Sequence, residues 1–387
     1  MAVKILSVDD ELDLELLLTQ YFRRKIRKGE YEFKFAHNGL EALTMLIKEK
    51  DFDIILSDIN MPEMDGLTLL TKINEMQNPA LKCIIVSAYG DMGNIRQAMN
   101  HGAFDFATKP IDLDDLSLTI EKAIEQINYI KTMQQEHYQL ESIKGDLAVA
   151  SEIQQAILPR VFPPFPENAS QMDIAASMNA AKDVGGDFYD FFRIDEDRIG
   201  FVIADVSGKG IPAAIFMAVC RTLIRATGLR DVKPSECISY TNNLIAEESA
   251  SSMFVTAFYG IYNIKTGEVT YTNAGHNPPY VVRANGKIER LPISKNIIVG
   301  FIENFQFSEE TLHLGPGDTL LLYTDGVTEA VDTELKEYGE ERLEKMLKNT
   351  TQMGCQEMID AVKADVKAFT EEAEQSDDIT LLAIKRL

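Results

Sequence analysis

Carboxylates and one lysine recur where apolar runs end. VKILSV at 3–8 runs into Asp9 and Asp10, FDIILSD at 52–58 ends in Asp58, and FDFATKP at 104–110 carries Lys109. In an open parallel sheet, ligands bind beyond the carboxyl ends of the strands. If these runs are neighbouring strands, three carboxylates and one ammonium converge. Carboxylates with water suit magnesium. The metal and the lysine would neutralise an incoming phosphate, and Asp58 can then act as a carboxylate nucleophile and form an acyl phosphate.

A second group of acids sits at tight turns in the C-terminal half. The segments are VGGDFYD (184–190), IADVSGKGIPAA (203–214), LYTDGVTEA (322–330) and SDDIT (376–380). Gly185, Gly186, Gly208 and Gly326 would let backbone come close to bound ions. These segments contain no histidine or cysteine, and an all-oxygen donor set favours magnesium or manganese over zinc. Two such ions about 3.5–4 Å apart can share a water, make it a nucleophile at neutral pH and stabilise charge on a phosphoryl oxygen. No protein nucleophile is then required, and no serine–histidine or cysteine–histidine arrangement stands out.

The elements that must position these residues fall into three stretches. In the first, strand-like runs alternate with helical patterns five times, which argues for a parallel sheet with helices on both faces. Runs such as IIL and CIIV, apolar throughout, fit a sheet covered on both sides. From about Asp112 to Leu158, Gly145 is the one breaker. Apolar residues recur at Leu116, Ile120, Ala123, Ile127, Ile130 and Met133, slip phase, and resume at Leu140, Ile143, Leu147, Ala150 and Ile157. This reads as a helical linker with coiled-coil character, for which a second copy of the chain is the simplest partner. Pro159, Pro163, Pro164 and Pro166 end it.

From about residue 172 strands dominate: FYDFFRI, IGFVIADV, MFVTAFYGIYN, EVTYTNA, PYVVRA, KIERL, DTLLLYTD and ITLLAIKRL. Helical patterns intervene at about 211–227, 233–248, 340–349 and 355–369. Lys265-Thr266-Gly267 and Asn285-Gly286 read as hairpin turns. Two packed sheets with helices outside are expected.

The ordered series Asp9-Asp10, Asp58-Ile59-Asn60-Met61-Pro62, Asp65-Gly66, Ser87-Ala88 and Lys109-Pro110 resembles the receiver domain of two-component response regulators. The resemblance implies a flavodoxin-like, doubly wound five-stranded parallel sheet over residues 1–125. It implies Asp58 as phospho-acceptor, with Asp9, Asp10, Asp58 and the Asn60 carbonyl around Mg2+. Ser87 and Lys109 would contact the phosphate, and Phe106 takes the place of the aromatic switch residue. An upstream histidine kinase is the implied phosphate source.

The four C-terminal segments, with NAGHNPP at 273–279 and EIQQAILP at 152–159, resemble the SpoIIE-like branch of the metal-dependent (PPM) protein phosphatases. An α-β-β-α sandwich over residues 161–387 is implied, after a helical linker at 126–160. The implied ligands of two Mn2+ or Mg2+ ions are Asp187, Asp205, Asp325 and Asp377, with Asp205 bridging and the Val206 carbonyl contributing. The implied reaction is hydrolysis of phosphoserine or phosphothreonine on a small partner protein, often an anti-sigma-factor antagonist in that branch. Lys209 stands where many members have histidine, and Asp378 where some have asparagine. Lys209 bears on phosphate affinity and substrate choice.

Other residues are weighed singly. His276 suits an acid/base role, and slightly better a structural role holding its loop between strands. Asp190 is expected to back a ligand or to face solvent, and Met217 to lie in the core.

Composition narrows the partners. The 387-residue chain carries a formal net charge of −23, which repels nucleic acid and anionic lipid. Cys83, Cys220, Cys237 and Cys355 form no C-x-x-C pair. The start has no signal-peptide pattern, and no apolar run is expected to approach membrane-spanning length, so a soluble cytoplasmic chain is expected. GGDFYD superficially resembles a diguanylate cyclase signature, but Phe188 replaces its acid and the later segments have no place there. A non-enzymatic, phosphorylation-controlled scaffold should have lost metal-ligand acids, and all four are present. Phosphorylation of Asp58 is expected to act through the linker on residues 152–158 and the metal site, in a direction the sequence leaves open.

Overall fold

The computed structural model describes residues 2–88, 92–162, 164–248 and 253–387. The chain divides into two compact units, residues 1–143 and 144–387.

The first unit is a parallel sheet in the order β2-β1-β3-β4-β5, formed by β1 (Val3–Val8), β2 (Tyr31–Ala36), β3 (Ile54–Asp58), β4 (Lys82–Ala88) and β5 (Asp105–Lys109). Because successive side chains alternate faces, Leu6, Val8, Ile55 and Ile85 pack with Ala42, Leu69 and Leu70 on one side. Ile5, Ile54, Leu56 and Ile84 pack with Leu18 on the other. The helices are α1 (Leu12–Tyr21), α2 (Arg23–Arg27), α3 (Gly39–Lys48), α4 (Gly66–Glu75) and α5 (Met92–Asn100). Local chemistry starts two of them. The Asn38 side chain accepts the Glu41 N–H at 2.8 Å, and the Asp65 side chain accepts the Thr68 N–H at 2.7 Å, satisfying N-terminal donors.

Helix α6 runs unbroken from Leu113 to Ile157. Its apolar stripe has two fates. Leu116, Ile120, Ala123 and Ile127 are buried in the core of the first unit, so this part of the expected coiled-coil seam is covered by the chain's own sheet. Met133, Tyr138, Leu140, Ile143, Val149 and Ile153 are exposed. Pro163, one of the prolines expected to stop this helix, lies outside the described residues.

The second unit stacks two antiparallel sheets. One has the order β13-β10-β9-β8-β7 and comprises β7 (Phe188–Arg193), β8 (Arg198–Val206), β9 (Val255–Asn263), β10 (Glu268–Ala274) and β13 (Glu310–His313). The other, β12-β11-β14-β15-β6, comprises β6 (Met172–Asn179), β11 (Tyr280–Val282), β12 (Ile288–Arg290), β14 (Thr319–Tyr323) and β15 (Ile379–Arg386). Period-two alternation assigns each face. Leu320, Leu322, Leu382 and Ile384 join the cluster of Phe201 and Phe258 between the sheets. Leu321, Tyr323, Leu381 and Ala383 face the outer layer of α10 (Glu340–Leu347) and α11 (Cys355–Thr370) through Leu343, Met358, Ile359 and Val362. Helices α7 (Ile211–Gly228) and α8 (Pro234–Glu248) cover the first sheet, and the one-turn α9 is Asp325–Thr328. The expected α-β-β-α sandwich is the observed architecture.

One expectation is corrected. Helix α7, 18 residues with mean hydropathy 1.3, is by length and composition long and apolar enough to cross a membrane. Its inner face, with Ala213, Met217, Cys220 and Ile224, is buried in the domain core, while Ile211, Ile215 and Val219 on the other face are exposed. Met217 is thus core, as expected.

Candidate functional site

In the first unit, register brings the chemistry to one end of the sheet. Asp58 pairs with Val86, and Ala88 with Lys109, so Asp58, Ser87 and Lys109 emerge together, with Asp9 and Asp10 following β1. Asp9, Asp10 and Asp58 can place ligand oxygens within 4.8 Å of one another. Lys109 Nζ lies 2.8 Å from Asp58 Oδ2, 2.9 Å from Asp9 Oδ2 and 3.0 Å from Glu11 Oε1. Burial works against the ammonium, but the hydrogen bonds to Asp58, Asp9 and Glu11 outweigh it and raise its pKa. Burial raises the pKa of Asp9 despite Lys109. The Asn60 N–H points at Asp58 Oδ1 at 3.4 Å. Ser87 Oγ is buried with no hydrogen-bond partner among the described residues, as suits a hydroxyl waiting for a ligand oxygen. Phe106 is half-buried against the α3–α4 side of the sheet. A Cβ on Gly66 would fall 2.1 Å from the Asp58 carbonyl oxygen, so glycine is required where α4 starts behind the acceptor.

In the second unit, the four expected acids come from the ends of one strand pair in each sheet. Phe188 pairs with Ala204, so Asp187 and Asp205 face each other one step further out. Asp325 and Asp377 flank the ends of β14 and β15, where Tyr323 pairs with Leu381. Thr324 joins the two sheets: its Oγ1 donates to Asp187 Oδ2 at 2.7 Å and accepts the Thr380 N–H at 3.0 Å.

Crowding marks the electrostatics. Burial, then the charges of Asp205 and Asp378, push the Asp187 carboxyl well above its ordinary range. Burial, then Asp325, lifts Asp205 to about 7. Burial, then Asp377, raises Asp325. Among the described residues these acids do not close as tightly as the Asp9–Asp10–Asp58 trio.

Hard divalent cations fit this donor set. The side-chain donors are all oxygen, buried like charges call for counter-charge, and glycines form a cradle. A Cβ on Gly186 would lie 2.8 Å from the Val206 carbonyl oxygen, on Gly185 2.2 Å from Asp378 Oδ2, and on Gly326 2.0 Å from the Asp378 carbonyl oxygen.

Three contributors went unrecognised in the sequence. Asp378 turns inward and accepts the Ala181 N–H at 2.8 Å, the Gly186 N–H at 2.7 Å and the Asp187 N–H at 3.4 Å; it shapes the loop that carries Asp187. Thr324 orients Asp187. Gln154, near the end of α6, grips Gly185 through both polar atoms of its amide.

Two other residues are placed by the structure. His276 is buried, its Nδ1 2.9 Å from Thr256 Oγ1, while Asn273 brackets its backbone at 2.8 and 3.0 Å. It holds its loop, in agreement with the structural reading. Asp190 corrects the expectation: it neither backs a ligand nor faces solvent. It is wholly buried and pairs with Arg225 at 2.8 Å and Arg221 at 3.1 Å, because α7 crosses its strand with those cations inward.

Comparison with known proteins bears on both units. The family model for the response regulator receiver domain matches residues 5–121, and that for stage II sporulation protein E (SpoIIE) matches residues 195–387. The second match includes Asp205, Asp325 and Asp377 and begins after Asp187. Protein IcfG of Synechocystis sp. is 31% identical over 301 residues, 70% of this chain and 46% of that protein. The chain thus spans under half of IcfG. Phosphoserine phosphatase RsbU of Bacillus subtilis is 30% identical over 256 residues, 65% of this chain and 74% of RsbU. The SiaA-PP2C domain of Pseudomonas aeruginosa superposes with a TM-score of 0.56 at 22% identity, covering 64% of this chain and 98% of that domain, which shows the shared fold. The chain therefore belongs to the SpoIIE-type protein phosphatase family, and carries a response-regulator receiver domain ahead of its phosphatase domain.

Proposed function

We propose that the chain hydrolyses phosphoserine or phosphothreonine on a partner protein, under control of phosphorylation at Asp58. The observation that carries this reading is the meeting of Asp187 and Asp205 from one sheet with Asp325 and Asp377 from the other. In this reading Asp187, Asp205, Asp325, Asp377 and the Val206 carbonyl hold two Mn2+ or Mg2+ ions. Bound there, the ions supply an activated water and neutralise the phosphoryl oxygens. The protein's part is positional: Thr324 fixes Asp187, Asp378 shapes its loop, and the buried setting strengthens each charge interaction. The name of RsbU supports a phosphoserine substrate, and an anti-sigma-factor antagonist in a partner-switching pathway is the substrate class we favour.

In the receiver, Asp9, Asp10, Asp58 and the Asn60 carbonyl hold Mg2+. Asp58 takes a phosphoryl group from a histidine kinase while Lys109 and Ser87 bind its oxygens and Phe106 responds. The signal travels along α6 to Gln154, and so to Gly185 and Asp187. A coupling of about 1–3 kcal/mol suffices for a useful switch. The exposed apolar residues of α6 between Met133 and Ile153 support a homodimer through that helix, in the cytoplasm.

The test is manganese-dependent phosphatase activity on candidate phosphoproteins, with wild type and Asp205→Asn, each with and without beryllofluoride on Asp58. Activity lost in Asp205→Asn is expected. Equal wild-type rates with and without the mimic would end the switch, and activity retained in the variant would end the site assignment.

A further inference from the structure

We propose that Lys209 competes with a divalent cation for Asp377, and so sets the metal concentration at which the phosphatase site fills. This deepens the two-metal reading above and rests on it.

The contact is specific. Lys209 Nζ lies 2.8 Å from Asp377 Oδ2 and donates to the Ser376 carbonyl at 2.6 Å. Asp377 Oδ1 is taken as well, since it accepts the Asp378 N–H at 2.8 Å. Both oxygens of this carboxylate are therefore engaged. A cation reaching Oδ2 would meet an ammonium already within hydrogen-bond distance of that oxygen. Two positive charges a few ångströms apart repel, so one must leave.

The segment bearing Lys209 allows it to leave. Strand β8 delivers Asp205 and Val206, and Ser207 is then pinned: its N–H donates to the Phe254 carbonyl, and its Oγ accepts the Phe254 N–H, each at 2.9 Å. Past Ser207 the chain turns through Gly208 at φ +91° and Gly210 at φ +78°, and a Cβ on either would meet nothing within 4 Å. Lys209 sits between them, exposed, just ahead of α7. Its side chain is 43% exposed, on a flexible four-carbon stem. The ammonium can swing to water without disturbing Ser207 or the ligands before it.

Electrostatics supply the attraction. The hydrogen bond to Asp377 anchors the ammonium beside a group of acids that also includes Asp378 and Asp325. The lysine thus partly offsets the acid crowding that a metal would otherwise offset. Among the described residues no lysine or arginine pairs with Asp187 or Asp205, so the ion needing Asp377 is the weaker of the two.

The test is calorimetric titration of the metal-stripped full chain with Mn2+, with Asp10→Asn in every protein to silence the receiver's own site. Lys209→Gln should tighten the weaker binding step by about fivefold, the upper end for an ion pair this exposed. Lys209→Arg, which keeps the charge, should stay near wild type. Lys182→Gln is the control: it removes a charge from an exposed residue beside Ala181, whose N–H binds Asp378, and should shift the step by less than about threefold. A Lys209→Gln isotherm that superimposes on wild type overturns the proposal. So does Lys182→Gln tightening binding as much, since the general field and not occupancy of Asp377 would then be responsible. An Asp205→Asn protein that binds Mn2+ as wild type does would instead sink the two-metal reading itself.

Discussion

Gln154 and Gly185 are joined by two hydrogen bonds, the amide Nε2 donating to the Gly185 carbonyl at 2.6 Å and the Gly185 N–H donating to Oε1 at 3.0 Å. A side chain of the long helix thereby holds both backbone groups of the loop two residues before Asp187. Gln154 is itself buried, so neither partner can turn to water when the other is removed.

Replacing Gln154 with alanine should therefore lower manganese affinity and phosphatase rate together, by about 10- to 100-fold, the usual effect of removing a residue that orients a metal ligand. Gln154→Glu should also fail: it can accept the Gly185 N–H but sets a carboxylate against the Gly185 carbonyl. Manganese-dependence curves on proteins of matched thermal stability are the measurement. Unchanged half-saturation in both variants would sever the helix from the site.

Asp205 gives a pH dependence. Its carboxyl is lifted to about 7 by burial and Asp325, and Asp187 is raised as well. Below that value protons occupy the oxygens a cation needs, so apparent metal affinity should fall as pH drops from 8 to 6, and loading at neutral pH should release protons. A chelator should abolish activity, and manganese should restore it. Calorimetry in buffers of differing ionisation enthalpy reads the proton release. Metal binding that neither releases protons nor weakens toward pH 6 would contradict the crowding of these carboxylates.

The acids at the two sites were readable because each follows or precedes an apolar run beside a glycine or a second acid. Which of two adjacent acids faces inward was not. Asp377 and Asp378 differ only in where the strand places them: the first meets Lys209, and the second binds three N–H groups. Strand β6 escaped notice because MDIAASMN is poor in β-branched residues, and its eight-residue ladder with β15 is what makes it a strand. Strand β13 is a four-residue edge with one buried side chain, Leu312. The stripe on α6 has one helical spacing for two purposes. Periodicity cannot say that Ile120 meets its own sheet while Ile143 is left exposed.

Asp190 was the least legible residue, because its partners lie on a helix that follows later in the chain. A carboxylate buried to 0% exposure and held by Arg221 and Arg225 cannot lose one side of the pairing cheaply. Asp190→Asn should cost about 3–5 kcal/mol, since it leaves the Arg221 guanidinium uncompensated beneath α7. Urea unfolding followed at α7 would show it. A loss under about 1 kcal/mol would mean that water reaches the arginines.

His276 supplies a second pH effect, of opposite use to that at Asp205. Burial lowers its imidazole pKa to about 4, from about 6.5 for a free imidazole. The folded protein thus holds it neutral where the unfolded chain protonates it. Its stabilising share is fully present above pH 6.5 and is lost as pH falls toward 4, amounting to about 3 kcal/mol over the whole interval. Between pH 7 and pH 5 the wild type should lose about 2 kcal/mol more than His276→Gln, which keeps hydrogen-bonding capacity and does not titrate. Denaturant unfolding of both proteins at the two pH values separates this from every other titrating group, because those are common to the pair. Parallel losses in the two proteins would show that His276 is protonated in the folded state and reaches solvent.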